Sequence, residues 1–598
     1  MSGLVATRLH EATPADDIVD DMFAAAPHRG TRLHVLAHGR TVVGASDTED
    51  LDEASVAKHG AVAVAFCGIL DNLAELTSEL AGHGVRPADS SPAAVVAAGW
   101  DVWGRDVACR MRGTYTVAAS DGDLLTCFRD HQGFRSLFHH DGPEGTFVAT
   151  EVKQVAAGSK VPMEPDPEVV ERIFYADYDD DTPTAVRGIR RLPKATWLTV
   201  GPAGVQVERY WFPERLVETA RLSPDEIQAT FDRLMAQAVR RCLAGETTVV
   251  SLSGGVDSPI IAGFAAPAHR ELTGQPLPAL SIVAPQHPSV DESDYIREIV
   301  AYLDIDPWHT YEQSVPAVGG LGRWVEFCDG PIVTITMNEL EEHYRQARAH
   351  GYRTLLTGEF AEFVVDRREG LLVHLMRHGR GRALRDAIRR YRVGGRSRLN
   401  IARELAGVVV PQWVTARRER RHERMGWVRP EWLEEERVAA GWEMRAMAPR
   451  NRWAQRQTSF FFGPGLSLEG AEIIQTLVGV RVRRPWLDVD LWEFFLSLPA
   501  EVKYAAVGRK PLARSLARGR VPDRILDRRD KTVFNESMEA RLDYDELERW
   551  LIGSSVALAG VDYELLRRRL EDRQLTLMEY RWARDLAAAH AFLELYGG

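Results

Sequence analysis

The chain has 598 residues, of which 45% are hydrophobic, 27% charged and 8% aromatic. This is ordinary globular composition and excludes a disordered, collagen-like or coiled-coil protein, while the length calls for at least two domains. With 74 basic and 86 acidic residues the net charge is −12, which argues against non-specific nucleic-acid binding.

Only seven basic residues are lysines, at positions 58, 153, 160, 194, 503, 510 and 531. Most arginines therefore reflect codon composition, and a lysine that persists marks a place where arginine is no substitute. The five cysteines (Cys67, Cys109, Cys127, Cys242, Cys328) have no CxxC spacing, as expected of a reducing cytosol without a zinc site or disulfide framework. No early apolar run suggests a signal peptide, and none reaches membrane-spanning length. The expectation is a cytoplasmic protein that binds neither membrane nor nucleic acid.

In chain order, residues 1–213 read as short β-type runs: Leu33–Leu36, Ala61–Phe66, Tyr115–Ala119, Leu124–Phe128, Phe147–Ala149 and Trp197–Val200. Helices over Asn72–His83 and Ala93–Trp103 interrupt them, the second behind Ser90-Ser91-Pro92, so this is an α+β domain. From 214 to 598 helical periodicity (Asp225–Ala244, Ser258–Ala265, Glu292–Tyr302, Asn338–His350) alternates with buried strands at Thr248–Leu252, Leu280–Val283 and Thr354–Leu356. That alternation predicts a parallel sheet with its ligand site beyond the strands' C-terminal ends. Residues 371–453 read as an arginine-rich helical insertion carrying Trp413, Trp427, Trp432, Trp442 and Trp453.

The sharpest local signal is Leu252-Ser253-Gly254-Gly255-Val256-Asp257-Ser258-Pro259, between a strand and a helix. The glycines let backbone N–H groups close around an anion, Ser253 and Ser258 add hydroxyls, and the helix N-terminus adds positive charge. Asp257 beside a phosphate calls for Mg2+. No Gly-Lys-Ser/Thr follows, so this is not a Walker A loop.

Ser-Gly-Gly-x-Asp-Ser resembles the pyrophosphate loop of N-type ATP pyrophosphatases, and further matches resemble the asparagine-synthetase-like family in its own order. They are Leu280–Val283, Val290-Asp291-Glu292, Thr357-Gly358-Glu359-Phe360-Ala361-Glu362, Arg484-Pro485-Trp486-Leu487-Asp488, Gly508-Arg509-Lys510 and Arg528-Arg529-Asp530-Lys531. The resemblance implies an α/β adenine-nucleotide hydrolase-like domain that uses ATP and Mg2+. Leu252, Ser253, Gly254, Gly255, Asp257, Ser258, Val283, Thr357 and Gly358 would contact nucleotide. Asp257 and Glu362 would bind metal, with Asp366 a nearby alternative. Glu359 would steer or deprotonate the amine, and Lys531 would stabilise charged intermediates. The chain departs from the family's Gly-x-Asp-Glu at Phe360-Ala361-Glu362-Phe363: Glu362 is one methylene longer than the family's aspartate and the next acid is missing.

The first domain resembles a class II glutamine amidotransferase of the N-terminal-nucleophile (αββα) fold, through His28-Arg29-Gly30, Cys67-Gly68-Ile69, Arg112–Ala118 and Arg129–Phe138. Its chemistry is stripped. Ser2 stands where the family exposes cysteine, Cys67 replaces the oxyanion asparagine, and Ile69 replaces a glutamine-binding glutamate; Asp89 is the surviving acid. Family members with a silent glutaminase domain supply the amine from the substrate itself. The long insertion makes the chain most similar to lasso peptide cyclases. That resemblance implies adenylation of an Asp or Glu side chain of a core peptide, attack by the peptide's N-terminal amine to form a macrolactam, and two partners, a leader-peptide recognition protein and a leader peptidase. The rival expectations are a β-lactam-type or other small-molecule amide synthetase, an ammonia-dependent asparagine synthetase, and a scaffold without ATP turnover.

Overall fold

The computed structural model describes residues 2–11, 16–48, 51, 53–174, 182–316, 319–331, 336–406, 427, 452–462, 466–529, 538–539, 541–573 and 575–597. Twelve strands belong to the N-terminal part: β1 (Gly3–Leu9), β2 (Arg32–His38), β3 (Thr41–Asp47), β4 (Ala54–His59), β5 (Val62–Leu70), β6 (Gly113–Ser120), β7 (Leu125–Arg129), β8 (Phe138–Gly142), β9 (Gly145–Ala149), β10 (Arg190–Arg191), β11 (Thr196–Gly201) and β12 (Gly204–Arg209). They form two antiparallel sheets, ordered β10-β8-β9-β1-β3-β2 and β12-β11-β7-β6-β5-β4.

The period-two rule explains why these strands are covered on both sides. Along β5, Ala63, Ala65 and Cys67 enter a core of small residues between the sheets, while Val64 and Phe66 enter a second core that includes the helix Pro92–Trp103. Helices Asp16–Ala24 and Val152–Ser159 contribute Val19, Met22, Val155 and Ala156 to a core shared with Val5 of β1 and Phe147 of β9. The layers are thus α, β, β, α. The expected strands and both expected helices are present, several of them longer by a few residues. The sequence reading missed β1, β3, β4, β8, β10 and β12.

Five parallel strands follow: β13 (Thr248–Ser251), β14 (Ala279–Val283), β15 (Trp308–Glu312), β16 (Thr354–Leu356) and β17 (Arg481–Arg483), ordered β15-β14-β13-β16-β17. The chain leaves β13 toward β14 on one side and returns on its other side as β16. The crevice at the ends of β13 and β16 is therefore the switch point where open α/β sheets bind ligands. The helix expected to stop at Ala265 continues through Pro267 to Thr273 and ends at Gly274 in the left-handed conformation.

In the arginine-rich insertion, helices Leu371–Arg377, Gly381–Val393 and Arg398–Ala406 bury Leu371, Leu372, Leu375, Ala387 and Ile401 with Trp453, Ala500 and Tyr504. Trp453 stacks on His374 at 4.4 Å, and Trp427 packs against Phe174 of the N-terminal part. These two tryptophans are core residues; Trp413, Trp432 and Trp442 lie outside the described residues. Among the described residues, no helix is long and apolar enough to cross a membrane.

The two parts are joined by buried charge. Glu472, on the helix Leu466–Val478, accepts from Arg29 Nη1 at 2.7 Å and from the backbone N–H and hydroxyl of Ser136 at 3.0 Å, with Arg135 Nη1 at 3.6 Å. Arg29 also pairs with Glu151, and Arg135 with Glu53, which in turn meets Arg481 of β17 at 2.6 Å. Arg29, Arg135, Glu53, Glu151 and Glu472 are all buried. Truncating one member of such a network leaves uncompensated charge, at a cost of about 3–5 kcal/mol. Glu472→Ala is therefore expected to lower the unfolding free energy by about that much in a urea titration. Burial alone would raise Glu53, but Arg135 and Arg481 hold it at about 2. An unfolded Glu titrates near ~4.3, so its stabilisation is complete above that pH and is lost as pH falls toward 2. Melting temperatures measured from pH 6 downward should fall in that window, and by less in Glu53→Gln.

Candidate active site

The phosphate-type loop begins where β13 ends. Leu252 is buried and its N–H donates to Leu280 O at 3.0 Å, extending the sheet by one residue. The next residues turn into the helix Asp257–Thr273. Ser258 Oγ accepts from the Ser253 N–H at 3.0 Å, and the two hydroxyls lie 3.0 Å apart, so both serines face the loop's concavity. A Cβ on Gly255 would meet only Ser253 Oγ, at 3.4 Å, which leaves open space on that side. Gly254 differs from expectation. Its N–H donates to Glu292 Oε2 at 3.0 Å, while Arg528 Nη1 bonds both Gly254 O (2.8 Å) and Glu292 Oε1 (2.7 Å). A carboxylate of the chain already occupies this donor, so the donors left that could receive an anion are the Ser253 and Ser258 hydroxyls and the first N–H groups of the helix.

The facing wall comes from β16. Thr357 N–H donates to Arg483 O at 2.9 Å, and its buried hydroxyl has no partner. A Cβ on Gly358 would lie 2.4 Å from Ser258 N and 2.7 Å from Asp257 C, so only glycine lets this strand end touch the helix start. Trp486 Nε1 donates to Asp257 O at 3.2 Å and closes the floor. Val283 is half-buried at the end of β14, beside Ala284, whose N–H donates to Asp291.

Asp257 carries the electrostatics. One carboxylate oxygen pairs with Lys510; the other, Oδ1, is buried without a hydrogen-bond partner. Burial pushes the Asp257 carboxyl above its ordinary value against the pull of Lys510, and the charge of Glu362 adds to the rise. An orphaned buried carboxylate oxygen beside a second carboxylate is the arrangement a divalent cation would satisfy, and Mg2+ typically takes one or two carboxylates with the rest of its shell from phosphate and water. Among the described residues no cluster of three or more metal-ligating side chains gathers. Asp366, the alternative ligand, is engaged: Oδ1 accepts from Arg368 and Oδ2 lies 3.6 Å from Arg509. Asp257 and Glu362 are the two carboxylates that could hold such a cation.

Glu359 lies at the mouth, its Oε2 accepting from Arg484 Nε at 2.7 Å. Behind it, His343 joins Ser251 Oγ (2.8 Å) to the Tyr311 hydroxyl (2.9 Å), and burial pushes the imidazole down to about 4. Phe360, where the family has glycine, is left-handed at φ 66°, and so is Lys510 at φ 52°. Such backbone costs a non-glycine residue about 1–2 kcal/mol; for Phe360 it is offset by packing its ring on Phe134, Phe363 and Phe460. Lys531 lies outside the described residues. The sequence reading left Lys510, Glu292, Arg528 and Arg484 without a role at this site. All four stand in the motifs that carry the family resemblance, but their partners appear only in the fold.

At the N-terminal site, Ser2 is fully buried. Its carbonyl accepts from Arg29 Nη1 (3.3 Å) and Arg135 Nη1 (3.4 Å), and its hydroxyl accepts from the Cys67 thiol at 3.0 Å. Burial pushes that thiol up, so Cys67 is an inert packed residue. Asp89 does not join the pocket: it is exposed and accepts from Ser91 N–H at a helix start. Gly358→Ala is expected to weaken ATP·Mg2+ binding roughly 10- to 100-fold in titration calorimetry, because overpacking against backbone costs about 1–3 kcal/mol.

The glutamine amidotransferase domain family matches residues 1–211, and the asparagine synthase family matches residues 230–594. The chain is 26% identical over 555 residues to a putative glutamine-hydrolysing asparagine synthetase of Mycobacterium tuberculosis, covering 85% of this chain and 80% of the relative. It is 27% identical over 261 residues to asparagine synthetase 3 of Bacillus subtilis, covering 43% and 41%. Among solved structures, a Bacillus subtilis glutamine phosphoribosylpyrophosphate amidotransferase aligns with 14% identity and a TM-score of 0.27 over 53% of this chain and 82% of the other. With its family match spanning most of the chain beyond residue 229, the protein belongs to the asparagine synthase family of ATP-dependent carbon–nitrogen ligases.

Proposed function

We propose that the protein adenylates a carboxylate with ATP and joins it to an amine that its own N-terminal domain does not generate. The observation that carries this reading is the contrast between the two sites. The synthetase crevice presents serine hydroxyls, a helix N-terminus and an orphaned Asp257 oxygen. The glutaminase position instead holds Ser2, buried under Arg29 and Arg135, with Glu472 filling the space between those guanidiniums. A glutamine carboxylate would have to displace a carboxylate that is already fully paired.

In the proposed reaction, Ser253, Gly255, Ser258 and the first turn of the helix hold the β- and γ-phosphates, with Leu252, Val283, Thr357 and Gly358 around the rest of the nucleotide. Asp257 and Glu362 would hold Mg2+, which neutralises charge on the departing pyrophosphate. Lys510 keeps Asp257 in place. Glu359 faces the acyl carbon and takes the proton of the attacking amine, and Lys531 stabilises the negative charge that develops there. When amine and acyl group belong to one molecule, holding them together lowers the barrier by roughly 7–11 kcal/mol. This favours an intramolecular ring closure, and the sequence resemblance to lasso peptide cyclases leads us to propose as substrate a core peptide whose Asp or Glu side chain is closed onto its N-terminal amine, with a leader-peptide recognition protein and a leader peptidase as partners. The second reading, ammonia-dependent asparagine synthesis, is favoured by the names of the mycobacterial and Bacillus relatives.

The two readings separate in one assay. The full chain is incubated with ATP, Mg2+ and either a candidate core peptide with its leader-processing proteins, or aspartate with ammonium chloride or glutamine. The expected result is AMP and loss of one water from the peptide by mass spectrometry, no glutamate from glutamine, full activity in Ser2→Ala and none in Lys531→Ala. AMP formation driven by aspartate and ammonium alone would overturn the peptide reading.

A further inference from the structure

We propose that Phe134 of the N-terminal domain is a positioning residue for the synthetase centre, acting through Arg484 on Glu359. The inference rests on the reading above only in placing Glu359 at the reacting carbon. Arg484 donates through Nε to Glu359 Oε2 at 2.7 Å, and its side chain is 6% exposed. Its guanidinium lies 4.8 Å from the ring centre of Phe134 and 5.8 Å from that of Phe360, and the two rings meet edge to face at 5.9 Å. The cation that holds Glu359 thus rests on two aromatic rings, one from each domain, besides its Nη1 bond to Val482 O at 3.4 Å.

The segment that delivers Phe134 is rigid. Asp130 accepts from the N–H groups of Gln132, Phe134 and Arg135, each at 3.1 Å. Gly133 is left-handed at φ 69°, and a Cβ there would lie 2.4 Å from Lys194 Cγ. Each side of this turn is anchored: Gln132 donates to Leu487 O, Arg135 pairs with Glu53, and Ser136 donates to Glu472. Lys194, packed against the turn, donates to Phe460 O at 2.8 Å, and Phe460 in turn packs on Phe360. Such anchoring exceeds what holding two domains together requires at one ring, and it fixes Phe134 against the arginine of a reacting-site ion pair. A domain that has lost its own chemistry would thus remain part of the active centre.

The test compares Phe134→Ala, Phe134→Tyr, Arg484→Lys and, as a control in the same turn, Gln132→Ala, which removes a domain contact but not the aromatic face. In crystal structures of the full chain, Phe134→Ala should lose the Arg484–Glu359 bond and Gln132→Ala should keep it; an intact bond in Phe134→Ala overturns the inference whatever the substrate. In ATP·Mg2+ turnover to AMP, with the acceptor that supports the wild-type protein in the preceding assay, Phe134→Ala should lower kcat roughly 10²-fold with KM for ATP unchanged. Phe134→Tyr should restore it, and Phe134→Ala combined with Arg484→Lys should be no worse than Arg484→Lys alone. Wild-type kcat in Phe134→Ala, or equal losses in Phe134→Ala and Gln132→Ala, would refute positioning and leave the proposed function standing. An acceptor-independent failure of the wild-type protein would refute that function, while the structures still decide the positioning.

Discussion

Two guanidiniums and a carboxylate taken out of water must be matched completely, because any one of them left alone costs more than the contact is worth. Arg29 and Arg135 come from the N-terminal sheets and Glu472 from a helix of the synthetase part, and each is buried and multiply bonded. The rest of the architecture follows from that match. It fixes the helix Leu466–Val478 against the sandwich, and through Glu53 and Arg481 it ties the sandwich to β17, the strand that precedes Arg484. It also closes over Ser2, whose carbonyl accepts from both Arg29 and Arg135.

The synthetase centre depends on a different physical economy, that of close backbone approach. Gly358 lets the end of β16 touch the start of the helix after β13, and the switch in strand order opens the crevice between them. Strain gathers on the rim. Phe360 and Lys510 hold left-handed backbone that glycine would take without cost. Phe360 gains an aromatic cluster by it, and Lys510 reaches Asp257. A position where the family has glycine has thus become part of a wall of Phe134, Phe360, Phe363 and Phe460, which gives this centre an apolar side that the phosphate loop lacks.

Much of this was legible before folding. The loop Ser253–Ser258 carried its chemistry in six consecutive residues, because an anion cradle is built from local backbone and the helix that follows it. The β13, β14 and β16 strands were legible as short buried runs between amphipathic helices. Six strands of the sandwich were not: β1, β3, β4, β8 and β12 mix small and polar residues, β10 is only two arginines long, and their pairing comes from partners far away in the chain. Asp89 and Asp366 were misplaced for a related reason. Both are acids near a motif, but one lies in solvent accepting from the Ser91 N–H and the other is held by two arginines.

The sequence by itself determined the family and the class of chemistry, and placed Ser2 where the resemblance implies a cysteine, since each is written in contiguous motifs whose function is local. Tertiary structure alone decided which charges meet. Glu472 and Arg29 are 443 residues apart, Arg481 and Glu53 are 428 apart, and Arg484 and Glu359 are 125 apart. No periodicity or composition marks one arginine among so many as the partner of a given carboxylate. Only packing, which removes water from both at one place, selects the pair.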